Sequence, residues 1–134
     1  KNIISERSSD RVIKSIVFCS GKIYYDLQNH LNKNAPNSST KLVRIEQLYP
    51  FPAEEIQELL KEYHLVQKVF FAQEEPQNQG IWGWIAPRLQ KLCPIAVTVE
   101  YIGRPESAAP ATGWAQRHKE ELANLLSDFE KKIR

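Results

Sequence analysis

Short apolar runs alternate with longer amphipathic stretches along this chain, and that alternation limits its fold more than any other feature. The run from Ser15 to Cys19 (SIVFC) is almost continuously apolar, which marks a strand buried on both faces. Ser20 and Gly21 then form a turn. From Lys22 to Asn34, Ile23, Leu27 and Leu31 recur at four-residue steps along one helix face. A polar loop, 34–40, leads to a second strand, Lys41 to Glu46. A second helix opens with Pro52 at its first helical position, carries Glu54 and Glu55 in its first turn, and has the apolar stripe Ile56, Leu59, Leu60 and Tyr63. Lys68 to Ala72 reads as the third strand.

A third helix is expected from about Asn78, its N-cap, to Leu92. Pro87 inside it removes one hydrogen bond and predicts a kink or a split. Ile95 to Tyr101 reads as the fourth strand. The last helix, from Gly113 to Lys132, shows His118, Leu122, Leu125, Leu126, Phe129 and Ile133 at three- and four-residue steps. Four βα units of this kind predict an α/β fold: three layers, a mostly parallel sheet and helices on both faces, with room for an antiparallel edge strand.

With 134 residues, the sequence has the length of one domain. A net charge of +2, with Lys and Arg scattered, argues against nucleic acid as a partner. No apolar run approaches the roughly 18 residues of a membrane span. Cys19 and Cys93 lie in apolar surroundings without CxxC spacing and are expected to be reduced thiols. His30, His64 and His118 are far apart and give no support to a metal site. There is no methionine, so the chain starts at Lys1 without an initiator. Either processing has removed an N-terminal segment or this is a piece of a longer polypeptide. The polar opening, Lys1 to Asp10, favours the second, so residues 1–13 are expected to be a linker from an upstream domain, with residues 14–134 forming the α/β domain.

In a parallel sheet, sites form beyond the carboxyl ends of the strands. Three polar strings fall there: Arg44 to Pro52 (RIEQLYPFP), Gln73 to Gly80 (QEEPQNQG) and Gly103 to Gly113 (GRPESAAPATG). Ser20 and Lys22 stand at a strand-to-helix turn, where free N–H groups favour an anion, and Arg44 offers a further countercharge; a plain helix cap with an exposed lysine is the alternative. No P-loop or GxGxxG pattern accompanies them. Glu74 and Glu75 are neighbours in an extended segment and are expected to cap backbone or to pair with Arg44 or Arg104 rather than to share a proton. Gln73, Asn78 and Gln79 suit a hydrogen-bonded contact surface. Arg104 offers a planar donor fork, for an ion pair across an interface or for a phosphate. Ser107 lies in no GxSxG elbow. Trp82, Trp84 and Trp114 are expected to pack or to sit at an interface.

The segment from Ile16 to Leu27 (IVFCSGKIYYDL), followed in order by these three strings, resembles the C-terminal domain of the thiamine-diphosphate-dependent first component of 2-oxoglutarate dehydrogenase. The likeness runs from about Val12 to Phe129. It implies a transketolase C-terminal-like fold. It also implies a parent homodimer that uses thiamine diphosphate and magnesium to decarboxylate 2-oxoglutarate in the tricarboxylic acid cycle and passes succinyl to a lipoyl-bearing succinyltransferase. In such a parent the cofactor and catalytic histidines belong to preceding domains, so no catalytic residue and no cofactor is carried over to this chain. Some bacterial members bind a nucleotide or acetyl-CoA effector near this domain, which makes Ser20, Lys22 and Arg44 effector candidates. Glu74, Glu75, Asn78, Gln79 and Arg104 become candidates for docking against the catalytic domains. The implied location is the bacterial cytoplasm or the mitochondrial matrix. The same domain in a 2-oxoadipate dehydrogenase or a 2-oxoglutarate decarboxylase is an alternative parentage, and an independent nucleotide- or CoA-binding module is the alternative of a different class.

Overall fold

The computed structural model describes residues 2–4, 12–107 and 115–134, with side chains from 119 onward in the last stretch. Five strands and four helices alternate along the chain: β1 (Ile3–Ile4), β2 (Ser15–Cys19), α1 (Ile23–Asn34), β3 (Thr40–Ile45), α2 (Ala53–Glu62), β4 (Lys68–Gln73), α3 (Trp82–Leu92), β5 (Val99–Gly103) and α4 (Ala115–Ile133). They form one sheet in the order β1-β3-β2-β4-β5. β2 to β5 are parallel, and β1 is an antiparallel edge strand on β3, with Ile3 opposite Ile45.

Strand alternation divides the core into two halves. Ile16, Phe18, Val43, Ile45, Val69 and Phe71 face α2 and α3, where Ile56, Leu59, Ile85 and Leu89 meet them. Val17, Cys19, Leu42, Phe70, Ala72 and Ile102 face α1 and α4, against Leu27, Leu125, Phe129 and Ile133. A strand with apolar side chains on both faces is committed to a central place between two helix layers, as the continuous run of β2 and β4 implied.

Several expectations shift by a few residues, each for a local reason. Ile3 and Ile4, within the stretch expected to be a linker, pair with β3 and so belong to the sheet. Pro52 occupies the N-cap position of α2, and the helix begins at Ala53. α3 starts at Trp82 rather than near Asn78, because 76–81 form turns and Asn78 is engaged elsewhere. Pro87 lies inside α3, and the helix runs on through it without a break. β5 begins at Val99, not Ile95, since Val97 N–H closes a turn onto Pro94 O and leaves Ile95 fully exposed. His118 and Trp114 lie outside the described side chains.

β5 is an outer strand, and side chains occupy part of its outer backbone. Val99 N–H donates to Gln90 Oε1 (2.8 Å), Lys132 Nζ donates to Tyr101 O (2.7 Å), and Gly103 N–H donates to Asp128 Oδ2 (3.1 Å).

Candidate functional site

The strand order reverses between β2 and β4. The chain leaves β2 toward β3 on one side and returns to β4 on the other, which opens a crevice at their carboxyl ends. A cavity of about 310 Å³ occupies this place, lined by Ser20, Gly21 and Lys22 on one wall and Gln73, Glu74 and Glu75 on the other. Gly21 has φ +80, the left-handed conformation that lets the chain turn from β2 into α1.

Of the three effector candidates, Ser20 and Lys22 line this cavity, while Arg44 is engaged nearby. Arg44 Nη1 donates to Tyr25 Oη (2.9 Å), its guanidinium lies over the Tyr25 ring, and its Nε is 3.2 Å from Glu46 Oε2. Glu74 and Glu75 line the same cavity as Lys22, so its walls carry both signs of charge. The expected pairing of Glu74 or Glu75 with Arg44 or Arg104 is corrected: Arg44 pairs with Glu46 and Arg104 with Glu121 (3.0 Å), because each arginine has a carboxylate closer at hand.

The second string is shaped by one buried side chain, that of Gln73. Its Nε2 amide donates toward Glu75 O (3.2 Å), Pro76 O (2.9 Å) and Gln79 O (2.7 Å), and its Oε1 accepts from Trp82 N–H (3.0 Å). One side chain thus shapes the whole turn from β4 to α3. Gly80 (φ +67) lies so close that a Cβ there would stand 2.8 Å from Gln73 Oε1. Tyr101 does the same work from β5, its hydroxyl reaching Arg104 O (2.6 Å) and Glu75 O (3.1 Å). Burial pushes that phenol up to about 12. Asn78 and Ser107 exchange two hydrogen bonds (2.8 and 3.0 Å), and Gln79 Nε2 adds a third at 3.1 Å. Asn78, Gln79 and Arg104 are therefore engaged within the domain, which holds the carboxyl edge in one shape. Of the third string, 108–113 lies outside the described residues.

Sequence reasoning passed over Tyr101 and Arg88. Tyr101 was legible in principle, since a buried phenol at a strand end must find an acceptor. Arg88 stacks on Trp84, 3.9 Å from the ring centroid, with Tyr49 and Phe51 packed around the same indole. Helical i, i+4 spacing of Trp84 and Arg88 was the available signal.

Chemically, the edge supplies hydrogen bonds and shape. Cys19 is a buried thiol whose pKa burial pushes up to about 12, so it is a poor nucleophile. Cys19 and Cys93 are both free. Among the described residues no three His, Cys, Asp or Glu side chains gather to hold a metal. No described helix is long and apolar enough to cross a membrane.

A family model described as 2-oxoglutarate dehydrogenase C-terminal matches residues 1–129. The chain is 44% identical over 119 residues to a 2-oxoglutarate dehydrogenase E1 component from Staphylococcus epidermidis, covering 89% of this chain and 13% of the relative. It is 39% identical over 117 residues to a 2-oxoglutarate dehydrogenase E1 component from Shouchella clausii, covering 87% of this chain and 12% of the relative. A probable 2-oxoadipate dehydrogenase complex component E1 homolog from Dictyostelium discoideum is 42% identical over 117 residues, covering 87% of this chain and 13% of the relative. The chain thus spans about one eighth of the length of the curated relatives it matches. On the family match and these identities together, the chain belongs to the 2-oxoglutarate dehydrogenase C-terminal family.

Proposed function

We propose that this chain serves as the non-catalytic C-terminal domain of a longer first component of a 2-oxo acid dehydrogenase complex. The parent decarboxylates 2-oxoglutarate on thiamine diphosphate with magnesium and passes succinyl to the lipoyl arm of the succinyltransferase. It acts as a homodimer in the tricarboxylic acid cycle, in the bacterial cytoplasm or the mitochondrial matrix. Within it, residues 14–134, with β1 added at the edge of their sheet, form the C-terminal α/β unit, and the carboxyl edge of that sheet, with Glu74, Glu75, Asn78, Gln79 and Arg104, faces the catalytic domains. The observation that carries this reading is identity of 39–44% across most of this chain with E1 components several times its length. The internally braced carboxyl edge supports the docking role, because a rigid surface loses little entropy when it is covered.

Identity to the 2-oxoadipate relative, at 42%, falls in the same range as identity to the 2-oxoglutarate relatives. This similarity supports placing substrate choice outside this domain. Decarboxylation assays on the full protein, with 2-oxoglutarate and 2-oxoadipate compared, test the parentage; turnover by residues 1–134 alone would overturn the non-catalytic role.

The crevice at the strand-order reversal favours a second reading, an effector phosphate held by the Ser20–Lys22 turn with Arg44 behind it. Glu74 and Glu75 on the facing wall oppose an anion, so this site is expected to be weak. Titration of the full protein with AMP and with acetyl-CoA, in wild type and Lys22→Ala, distinguishes the two.

A further inference from the structure

We propose that Tyr49, Phe51, Trp84 and Arg88 form the docking box that receives a carboxylate-bearing segment of the longer protein upstream of this domain. The inference rests on the reading that the carboxyl edge faces the rest of that protein, and it names the chemistry of the contact. Tyr49 and Phe51 follow the end of β3, and Trp84 lies in the first turn of α3, so all three are presented at that edge. The Tyr49 ring lies 5.0 Å from Trp84 and the Phe51 ring 5.9 Å, yet Tyr49 is 71% exposed. The Gln47 side chain donates to Tyr49 O at 2.6 Å and holds the loop in place.

Arg88 supplies the charge. Its Nη1 donates to Trp84 O (2.6 Å) and its plane covers the indole, which fixes the guanidinium in one position. Arg44, Arg104 and Arg134 each have a carboxylate within 3.4 Å; Arg88 has none among the described residues. A stacked guanidinium with donors to spare, ringed by Tyr and Trp, is the residue combination that dominates binding energy at protein interfaces. Its match is an Asp or Glu on an otherwise apolar segment. The occupant is assigned to the upstream protein because about seven eighths of each relative lies outside the stretch that this domain matches.

Hydroxyl-radical footprinting of the full-length protein, read by mass spectrometry, tests the box directly. Leu65 and Ile95, exposed ahead of β4 and β5 at the opposite edge, serve as labelled controls, and Tyr25 reports the carboxyl edge outside the box. The expected result is labelling of Tyr49 and Trp84 at least tenfold slower than their exposure here implies. Protection of Tyr25 with full labelling of Tyr49 and Trp84 would overturn the box and leave the edge reading standing; full labelling of all three would overturn both. An Arg88→Lys variant adds a chemical test, since a carbodiimide joins its amine to a carboxylate in contact. A cross-link to the upstream part is expected. A cross-link only to residues 1–134, from the same or a second copy, or no cross-link at all, would overturn the assignment.

Discussion

At the ends of β4 and β5, the carbonyls of Glu75, Pro76, Gln79 and Arg104 take their donors from Gln73 and Tyr101. Around the end of β3 and the start of α3, by contrast, Tyr49 stands out into solvent and Arg88 keeps donors that no described carboxylate takes. Both regions lie at one edge and arise from similarly polar, Pro-rich strings. The first spends its polar groups on its own shape, whereas the second keeps some for contact. Polarity at a strand end therefore does not identify a site; what matters is whether the polar groups are already satisfied.

If that contrast is right, changes in the braced region lower the stability of the fold and changes in the open region do not. The largest effect is expected from Gly103→Ala. Gly103 has φ +149, and a Cβ there would meet Tyr101 Oη at 2.6 Å and Gln73 O at 2.8 Å. A cost of about 4 kcal/mol follows from backbone strain and overlap together, to be read from urea denaturation. Gln73→Leu comes next, at about 3 kcal/mol, because three carbonyls and the Trp82 N–H lose their partner in a buried place. A loss below about 1 kcal/mol would mean that water replaces the amide, and the bracing would be overstated.

Tyr101→Phe should cost about 1–2 kcal/mol through the lost hydroxyl, and it carries a pH signature. The phenol is raised from 10.0 to about 12 by burial in the folded state. Its stabilising contribution is therefore complete below pH 10 and is lost as pH rises from about 10 through 12, where the unfolded chain gives up its proton first. Wild type should lose stability over that window, and Tyr101→Phe should lose less of it. At the small end, Tyr49→Ala and Lys22→Ala should each change the stability of the isolated fold by no more than about 0.5 kcal/mol. A larger loss in either would place that residue in the braced region and erase the contrast.

Much of the fold was legible because strand and helix periods are written locally. β2 and β4 are continuous apolar runs, and α1, α2 and α4 carry regular stripes, so layer number and parallel pairing followed. What escaped depended on partners distant in sequence. Asn78 looked like a helix cap because its tie to Ser107, 29 positions away, leaves no local trace. Ile3 and Ile4 gave too short a run to register as a strand until β3 was there to pair with them. The edge residues were found as candidates, but their division into braced and open groups required knowing which carbonyl each amide meets. Gln73 illustrates this: a lone glutamine at a strand end is unremarkable until three carbonyls converge on it.

The side chains along the outer strand β5 have a consequence for assembly. Gln90, Asp128 and Lys132 claim Val99 N–H, Gly103 N–H and Tyr101 O, the groups that an incoming strand would need. Neither a second copy nor a nascent chain at the ribosome can zip onto this side without first displacing those contacts. Growth of the sheet into a ribbon of stacked molecules is thereby discouraged at β5, and copies that meet on that side must do so through side-chain surfaces rather than shared backbone.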